Sequence, residues 1–394
     1  MNLPKQRIGI YGGAFNPIHN GHLTVAKNIL ESLCLDKIIF MPTGNAPHKN
    51  IKTSRADRLN MLSLAINNNS YFEIDEYEIN KFGKSYSCET LEYIKKNNPD
   101  SEIYLIIGSD EFKDLESWHR INDLLKNCIL IIALRPKHDN KNCLLDYLRR
   151  IKRKYSPNVF LFDVNALDIS SSMVRDRVLL GQNIDFLTQK KVREYIRQRN
   201  LYKHNLRIDI DAIKNYLQDN LSPKRFIHSV CVANLAVDLA KFYGEDIFKA
   251  YIGGLLHDCA KEIPNSEKIE MCYKYKIKID RALKLQPDLL HQFLGEKIAY
   301  EKFYIRDIDI LNSIRHHTTG RKRMSLLEKI VYIADYTEPN RIHDTVKYIR
   351  RLLYDNLNQA LAYCLKITLD ENKRKNRLIY HLSNEAFQFY KSNL

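Results

Sequence analysis

Residues 8–22 have the sequence IGIYGGAFNPIHNGH, and this stretch decides the fold of the first half of the chain. A short β-rich run, residues 7–11, leads into the glycine pair Gly12 and Gly13, and a helical stretch follows from His22. Glycine lets a backbone approach a ligand closely, and the start of a helix presents unpaired N–H groups to anions. The stretch therefore predicts a strand, a phosphate-binding turn and a helix in succession.

The alternation of strand and helix continues along the first half. Apolar runs at residues 37–41, 102–107 and 129–134 have the length of strands. Runs that are apolar throughout are typical of strands covered on both faces, as in a parallel sheet. Helical patterns at 22–33 and 54–67 lie between such runs. Repeated β-α-β units predict an α/β doubly wound parallel sheet with its site at the carboxyl ends of the strands.

The pattern changes near the middle of the chain. Beyond residue 208, glycine and proline are sparse, apolar residues recur at helical spacing, and no convincing strand is found. These features predict an all-α second half. We place the boundary within residues 203–208, giving domains of residues 1–204 and 205–394. At 394 residues the chain is long enough for two domains with a core each.

The overall charge and the cysteines restrict the class of protein. A formal net charge of +15 favours anionic partners, among which are nucleotides and nucleic acid. We find no arginine-rich arm or recognised nucleic-acid-binding motif, so nucleic acid is not an expected partner. The eight cysteines form no C-x-x-C pair and are expected to be reduced, as in a cytoplasmic protein. The longest apolar run, residues 128–134, is too short to span a membrane. A homo-oligomer is left open.

Two histidines in the opening stretch carry the first chemical prediction. His19 and His22 lie one helical turn apart, so both can face one ligand, and we expect Gly21 to keep the space above them open. Histidines beside phosphates can hold developing negative charge without a covalent bond, which suits nucleotidyl transfer. At these residues the chain resembles the nucleotidyltransferase superfamily with the motif (H/T)-x-G-H. More narrowly, it resembles the bacterial nicotinate-nucleotide adenylyltransferases.

Later segments are similar to the same family. They are PHK at 47–49, SYSCETL at 85–91, GSD at 108–110, ISSSMVR at 169–175 and VREYIRQRNLY at 192–202. Two serines stand where the family usually has threonine, and both keep the hydroxyl.

This resemblance, over about residues 5–203, implies a reaction and a set of residues. Nicotinate mononucleotide attacks the α-phosphorus of ATP, giving deamido-NAD and pyrophosphate, with Mg²⁺ as cofactor. His19 and His22 are the implied catalytic residues. The implied ATP- and phosphate-binding residues are Gly12, Gly13, Phe15, Lys49, Ser170, Ser171 and Arg175. The implied acceptor-binding residues are Ser85, Tyr86, Asp110 and Trp118, the last as a platform for the pyridine ring. Another acceptor, such as phosphopantetheine, stays open.

A second set of residues, rich in histidine, recurs along the helical half. Its members are His228, His257, Asp258, His291, His317 and Asp335. Asp258 follows an apolar run that must be buried, and a buried aspartate is costly unless it is paired or bound to a metal. Imidazole with carboxylate suits Fe, Mn, Zn or Co. Two such ions ~3.5–4 Å apart could clamp a phosphate group.

This ordered set resembles the HD phosphohydrolase superfamily. It is most similar to bacterial HD-domain proteins that cleave diadenosine tetraphosphate symmetrically to two ADP. The strings that carry the resemblance are LLHDCAK at 255–261, LLH at 289–291, HTTG at 317–320 and ADY at 334–336. Over about residues 208–385, the resemblance implies that the six residues bind one or two Fe or Mn ions and that Asp258 is catalytic. It implies phosphate contacts from Lys261, Arg315 and Arg321.

The sequence therefore predicts a bifunctional enzyme. An α/β nucleotidyltransferase domain would be followed by an all-α HD-type metal-binding domain. The expected partners are ATP, nicotinate mononucleotide and a dinucleoside polyphosphate. Two alternatives for the second domain stay open: it acts on another nucleotide, or it is a regulatory module that binds a nucleotide without turnover.

Overall fold

The structure is a computed structural model, and it describes residues 5–44, 51–134, 141–163, 167–342 and 344–394. The chain forms two compact units, Met1–Lys203 and His204–Leu394. Lys49, which we expected to bind phosphate, lies outside the described residues.

The first unit is built on one parallel sheet. Its strands are β1 (Arg7–Gly13), β2 (Lys37–Pro42), β3 (Phe72–Ile74), β4 (Glu102–Gly108), β5 (Ile129–Leu134) and β6 (Val159–Asp163). Their order is β3-β2-β1-β4-β5-β6, so the winding of the sheet reverses between β1 and β4. Doubly wound sheets bind ligands at this reversal, beyond the carboxyl ends of the strands. The predicted fold of the first half is confirmed.

Helices cover both faces of this sheet. They are α1 (Asn20–Ser32), α2 (Arg55–Ile66), α3 (Tyr77–Asn80), α4 (Ser87–Asn97), α5 (Ser109–Lys113), α6 (Ile121–Asn127), α7 (Lys141–Tyr155), α8 (Ser171–Leu179) and α9 (Lys190–Gln198). Alternate residues of β2, β4 and β5 enter two separate cores, so Leu105 lies in one and Ile106 in the other. Both faces of β4 and β5 are therefore apolar, which explains why continuous apolar runs predicted these strands.

The described part of the second unit contains helices and no assigned strand, which confirms the all-α prediction. The helices are α10 (Ile210–Asn220), α11 (Pro223–Tyr243), α12 (Ile247–Leu256), α13 (Asn265–Lys274), α14 (Arg281–Leu285), α15 (Leu290–Lys302), α16 (Ile308–Arg315), α17 (Leu326–Thr337), α18 (Asp344–Leu352), α19 (Leu357–Arg374) and α20 (His381–Tyr390).

A glycine sets the distance between two of these helices. A Cβ atom on Gly254 of α12 would lie 2.6 Å from the Cα atom of Ala233 on α11, so only glycine allows this approach. The contact brings His228 of α11 close to His257 at the end of α12, with ring centroids 5.3 Å apart. The packing of α11 on α12 therefore begins the assembly of a histidine cluster.

Helix α11 is also long and apolar enough to cross a membrane, by length and composition alone. It carries His228, and its buried side chains pack within the helical unit. A core helix of a soluble protein has the same length and composition, so this feature is weak evidence for a membrane span.

Candidate active sites

The histidine pair of the first unit lies at the turn between β1 and α1. His19 is the N-cap of α1, and its ring stacks on that of His22 with centroids 3.6 Å apart. Each Nδ1 atom accepts a hydrogen bond from the backbone N–H of the other residue, both at 3.3 Å. Because Nδ1 is the acceptor, the proton of each neutral ring is on Nε2. Both rings therefore carry an N–H donor suited to an anionic oxygen.

Two details of this turn differ from expectation. A Cβ atom at Gly21 would lie 3.0 Å from Nδ1 of His19, so the expected open space above the histidines is wrong: the His19 ring itself fills it. Phe15, expected to bind ATP, has a buried ring that packs against Tyr11 and His22. Its side chain supports the histidine pair, and its contact with ATP would have to come through the backbone.

The start of α8 is hydrogen-bonded to the turn between β1 and α1. Ser170 caps the helix by accepting a hydrogen bond on its Oγ atom, and Ser171 Oγ donates to the carbonyl of Pro17 at 2.9 Å. Arg175 Nη1 donates to the carbonyl of Asn16 at 2.7 Å. These residues, predicted to bind phosphate, are therefore brought beside the histidine pair. Their contact with ATP stays a prediction.

Arg58, near the start of α2, is a buried residue with backbone partners in two other segments. Its side chain is 1% exposed and donates to the carbonyl of Ala14 at 2.7 Å and to that of Gly44 at 3.3 Å. The guanidinium thereby ties the turn after β1 to the segment after β2. No local pattern reveals this role, because Ala14 is 44 residues away along the chain.

We expect Arg58→Ala to destabilise the first unit by roughly 3 kcal/mol, because it leaves two carbonyl groups without their charged donor. Denaturant unfolding followed by tryptophan fluorescence measures this unit alone, since Trp118 is the only tryptophan of the chain. Arg55→Ala, on the same helix but less buried, is the control and should cost below about 0.5 kcal/mol. Equal effects of the two substitutions would contradict the assigned role of Arg58.

The predicted acceptor-binding residues lie on segments around β4. Asp110 is exposed in the first turn of α5, directly after β4, which neighbours β1 at the reversal of the sheet. The rings of Tyr86 and His119 pack at a tilt with centroids 4.6 Å apart, and Trp118 is half-buried against the core. Ser85 Oγ reaches a backbone carbonyl at 3.5 Å. Asp110 therefore follows the strand next to the one that ends in the glycine pair.

In the second unit the six predicted metal ligands converge from five segments. They form three overlapping groups, in each of which the ligand atoms lie within 4.8 Å of one another. The groups are His228 with His257 and Asp258, His257 with His317 and Asp335, and Asp258 with His291 and His317. The sequence set is thus one cluster in space, and five of its six members are buried.

Backbone carbonyls fix the tautomer of three of these histidines. Each donates from Nδ1 to the residue three positions earlier: His257 to Gly254 at 2.7 Å, His291 to Asp288, and His317 to Ile314 at 2.7 Å. A carboxylate does the same for His228, whose Nδ1 lies 3.3 Å from Glu338 Oε1. With the proton on Nδ1, the Nε2 lone pair of each neutral ring faces the cluster. In the first unit the proton is instead on Nε2, and the Nδ1 atoms of His19 and His22 are the acceptors.

Asp258 divides the cluster into two halves. In the first half-site (His228, His257, Asp335 and Asp258 Oδ2), His228 Nε2 lies 3.0 Å from Asp335 Oδ1 and His257 Nε2 lies 3.5 Å from Asp258 Oδ2. In the second half-site (His291, His317 and Asp258 Oδ1), both Nε2 atoms lie 3.3 Å from Asp258 Oδ1. Asp258 is therefore shared between the halves, one oxygen to each.

The donor set of the cluster fits a cation. His228 Nε2, His257 Nε2 and Asp258 Oδ1 are buried without a hydrogen-bond partner among the described residues. Lone pairs that face carboxylate oxygens repel one another unless a positive charge lies between them. Imidazole and carboxylate together are typical ligands of divalent transition metals.

The pKa shifts of most cluster residues also favour the binding of a cation. Burial, aided by the charge of Lys261, lowers the pKa of His291 to about 4. Burial also lowers the pKa of His317, so both rings are neutral near pH 7 and can act as ligands. Burial opposes the ionisation of Asp258, but His257 and Lys261 outweigh it and hold the pKa of Asp258 well below its usual range. Burial lowers the pKa of His257, but the charge of Asp258 outweighs it and raises that pKa, so a cation that binds this ring displaces a proton.

Two arginines at the cluster were not predicted. Arg225 Nη1 donates to Asp258 Oδ2 at 2.8 Å, and Arg341 Nη2 donates to Asp335 Oδ1 at 3.2 Å. Arg225 precedes His228 by three residues on α11, and this spacing is the signal that could have found it.

The three residues predicted to contact phosphate have different partners in the structure. Lys261 Nζ lies at the cluster, 3.2 Å from His291 Nε2. Arg315 instead pairs with Glu296, and Arg321 makes two hydrogen bonds, at 2.6 and 2.8 Å, to the buried Glu328. These two arginines pair with glutamates on α15 and α17, and their contact with phosphate stays a prediction.

The fold and the two sites define a chain with two kinds of catalytic unit. One is an α/β nucleotidyltransferase, with histidine donors beside a helix start. The other is a helical unit of the HD type, whose histidine and aspartate cluster implies a divalent metal.

Comparison with known proteins agrees with both units. Residues 10–177 match the cytidylyltransferase-like family and residues 225–340 match the HD domain. A probable nicotinate-nucleotide adenylyltransferase/Ap4A hydrolase of Mycoplasma genitalium is 32% identical over 92% of this chain and 97% of its own length. A probable nicotinate-nucleotide adenylyltransferase of Desulfitobacterium hafniense is 41% identical over 52% of this chain and 99% of its own. The crystal structure of a predicted HD-superfamily hydrolase involved in NAD metabolism, from Clostridium acetobutylicum, is 40% identical over 47% of this chain and 98% of its own, with a TM-score of 0.46.

The chain belongs to the family of nicotinate-nucleotide adenylyltransferases that carry a C-terminal HD hydrolase domain. It is a nucleotidyltransferase of NAD metabolism with an HD domain, as the sequence predicted.

Proposed function

We propose that the first unit transfers the adenylyl group of ATP to nicotinate mononucleotide, and that the second hydrolyses diadenosine tetraphosphate to two ADP. The observation that carries this pairing is the opposite orientation of the histidines in the two units. Nε2–H donors suit a site that stabilises developing negative charge, and Nε2 lone pairs suit a site that holds cations.

In the first reaction His19 and His22 donate from Nε2 to the oxygens of the α-phosphate as negative charge develops there. The start of α8, with Ser170, Ser171 and Arg175, holds the remaining phosphates through backbone N–H groups and the guanidinium. Gly12 and Gly13 let these phosphates approach the backbone, and nothing lies within 4 Å of a Cβ atom built on Gly12. Mg²⁺ would offset phosphate charge in this site.

The acceptor is held by residues around the end of β4. Trp118 presents a half-buried ring on which a pyridine can stack. Asp110, Ser85 and Tyr86 border the same edge of the sheet and provide polar contacts. An acceptor panel of nicotinate mononucleotide, its amide and phosphopantetheine, each with ATP, tests this assignment. Deamido-NAD formed at the highest kcat/KM supports it, and preference for phosphopantetheine overturns it.

In the second reaction His228, His257, Asp258, His291, His317 and Asp335 would hold the Fe or Mn cofactor. Such ions lower the pKa of a coordinated water and offset charge on the phosphate oxygens. Arg225 and Lys261 lie at the edge of the cluster and can pair with the other phosphates of the substrate. The Glu338 carboxylate and the three backbone carbonyls keep the Nε2 atoms directed inward.

A substrate panel tests the second assignment. We expect the Mn²⁺-loaded full chain to cleave diadenosine tetraphosphate faster than diadenosine triphosphate, ATP or deamido-NAD. A different fastest substrate would replace the proposed one. Bound cations with no turnover of any member would favour the regulatory module.

We expect Glu338→Gln to weaken Mn²⁺ binding about 10- to 100-fold, because its carboxylate orients His228 and raises the basicity of the ring. Isothermal titration of the full chain with Mn²⁺ measures the effect. Glu301→Gln, an exposed glutamate on α15, is the matched control and should leave the affinity unchanged. If Glu338→Gln binds Mn²⁺ like the natural chain, the carboxylate does not support a ligand.

A further inference from the structure

The two half-sites differ in how their histidine nitrogens are satisfied. In the first half-site, His228 Nε2 and His257 Nε2 have no hydrogen-bond partner among the described residues. In the second half-site, both Nε2 atoms have donors: Lys261 Nζ lies 3.2 Å from His291 Nε2, and Thr318 Oγ1 lies 2.9 Å from His317 Nε2. Only the second half-site therefore has groups of the protein standing where a cation would contact the histidines.

These donors compensate an unfavourable contact. His291 Nε2 and His317 Nε2 lie 3.1 Å apart, and both carry lone pairs because their Nδ1 atoms donate to backbone carbonyls. Two lone pairs at that distance repel one another. The Thr318 hydroxyl has one proton and lies within reach of both rings, at 3.1 and 2.9 Å, so it can donate to only one of them. The Lys261 ammonium then supplies the second donor and a positive charge.

The Lys261 ammonium also offsets the negative charge of Asp258 in the second half-site. Lys261 Nζ lies 3.8 Å from Asp258 Oδ1, the oxygen that faces the second half-site. Its side chain is 31% exposed, whereas that of Asp258 is 3% exposed. Lys261 therefore approaches from the solvent side on a flexible four-carbon stem. It can leave the cluster without moving a helix.

We propose that Lys261 and Thr318 keep the second half-site closed to a cation until a phosphate anion draws the Lys261 ammonium away. The cation and the phosphate then bind cooperatively, and by linkage each raises the affinity of the other by the same factor. In the first half-site, Arg225 and Arg341 contact carboxylate oxygens and leave the histidine Nε2 atoms without donors, so this half-site fills first and independently of phosphate. This inference rests on the proposed hydrolase function of the cluster.

The test is a Mn²⁺ titration of the full chain with and without inorganic phosphate, followed by calorimetry and by electron paramagnetic resonance. Without phosphate we expect one tightly bound Mn²⁺, with the signal of an isolated ion. With phosphate we expect a second ion, bound about tenfold more tightly than without it, and a spin-coupled pair. The Asp258→Asn chain gives the background from the rest of the protein.

Lys261→Met keeps the length of the stem and removes the charge. It should bind two Mn²⁺ ions without phosphate and lose the effect of phosphate. Thr318→Val should shift the second affinity in the same direction, and Thr318→Ser should behave like the natural chain. Lys274→Met, an exposed lysine on α13, is the control and should change neither affinity.

Two results overturn the inference and are distinguishable from a failure of the proposed function. Two ions bound equally tightly without phosphate, or a single ion in Lys261→Met under all conditions, would contradict the closing role of Lys261. No specific Mn²⁺ binding at all would instead remove the proposed hydrolase function.

Discussion

Asp258→Asn is expected to lower the hydrolysis of diadenosine tetraphosphate by roughly 10³-fold or more and to leave adenylyl transfer unchanged. Asp258 contributes one oxygen to each half-site, so the substitution removes the shared negative charge that both cations need. Several kcal/mol of charge stabilisation are then lost, and each 1.36 kcal/mol is tenfold in rate. Product chromatography with the Mn²⁺-loaded chain measures the effect.

The same variant controls for folding. Its helical content by circular dichroism and its rate of deamido-NAD formation should match those of the natural chain. Hydrolysis that survives in Asp258→Asn at more than a few per cent would mean that the cluster is not the hydrolytic centre. Loss of both reactions would mean that the two sites are not independent.

His22→Ala is expected to have the converse effect, lowering kcat of adenylyl transfer about 10²- to 10³-fold, as for the loss of one donor to developing charge. The ring stacks on His19, and its Nδ1 accepts from the backbone of that residue, which directs the Nε2–H donor. His22→Gln retains an N–H donor and should recover part of the rate. Initial rates of deamido-NAD formation, with hydrolysis on the same preparation as control, test this. A change in KM for ATP with an unchanged kcat would contradict the role in the transition state.

Much of the first unit follows from local patterns. Strands β4 and β5 are buried on both faces, so each is a continuous apolar run that can be recognised in isolation. Strand β3 has three residues, Phe72–Ile74, at the edge of the sheet, and this is too short to give a periodic signal. The sequence predicted a doubly wound sheet but not the order of its strands, because which strands pair is set by the packing of the whole unit.

The side chains that complete each site were less accessible to sequence reasoning. Arg58 looks like a helix charge in the sequence, and it is buried because its carbonyl partners come from two other segments. Thr318 sits in a recognisable string, but its place between two rings depends on how α15 and α16 pack. Arg321 was predicted to contact phosphate, and in the structure its guanidinium donates a hydrogen bond to the buried Glu328. Ligand identity follows from residue type and order, whereas the partners that orient a ligand are set by tertiary contacts.

The most direct test of two active sites on one chain is the product pattern of the full chain after metal removal and stepwise return of Mn²⁺, with diadenosine tetraphosphate as substrate. We expect ADP as the sole product, at a rate that follows the Mn²⁺ bound by the cluster and is the same in His22→Ala. ATP with AMP as products, cleavage that persists without bound cation, or no cleavage with the cluster loaded would contradict it.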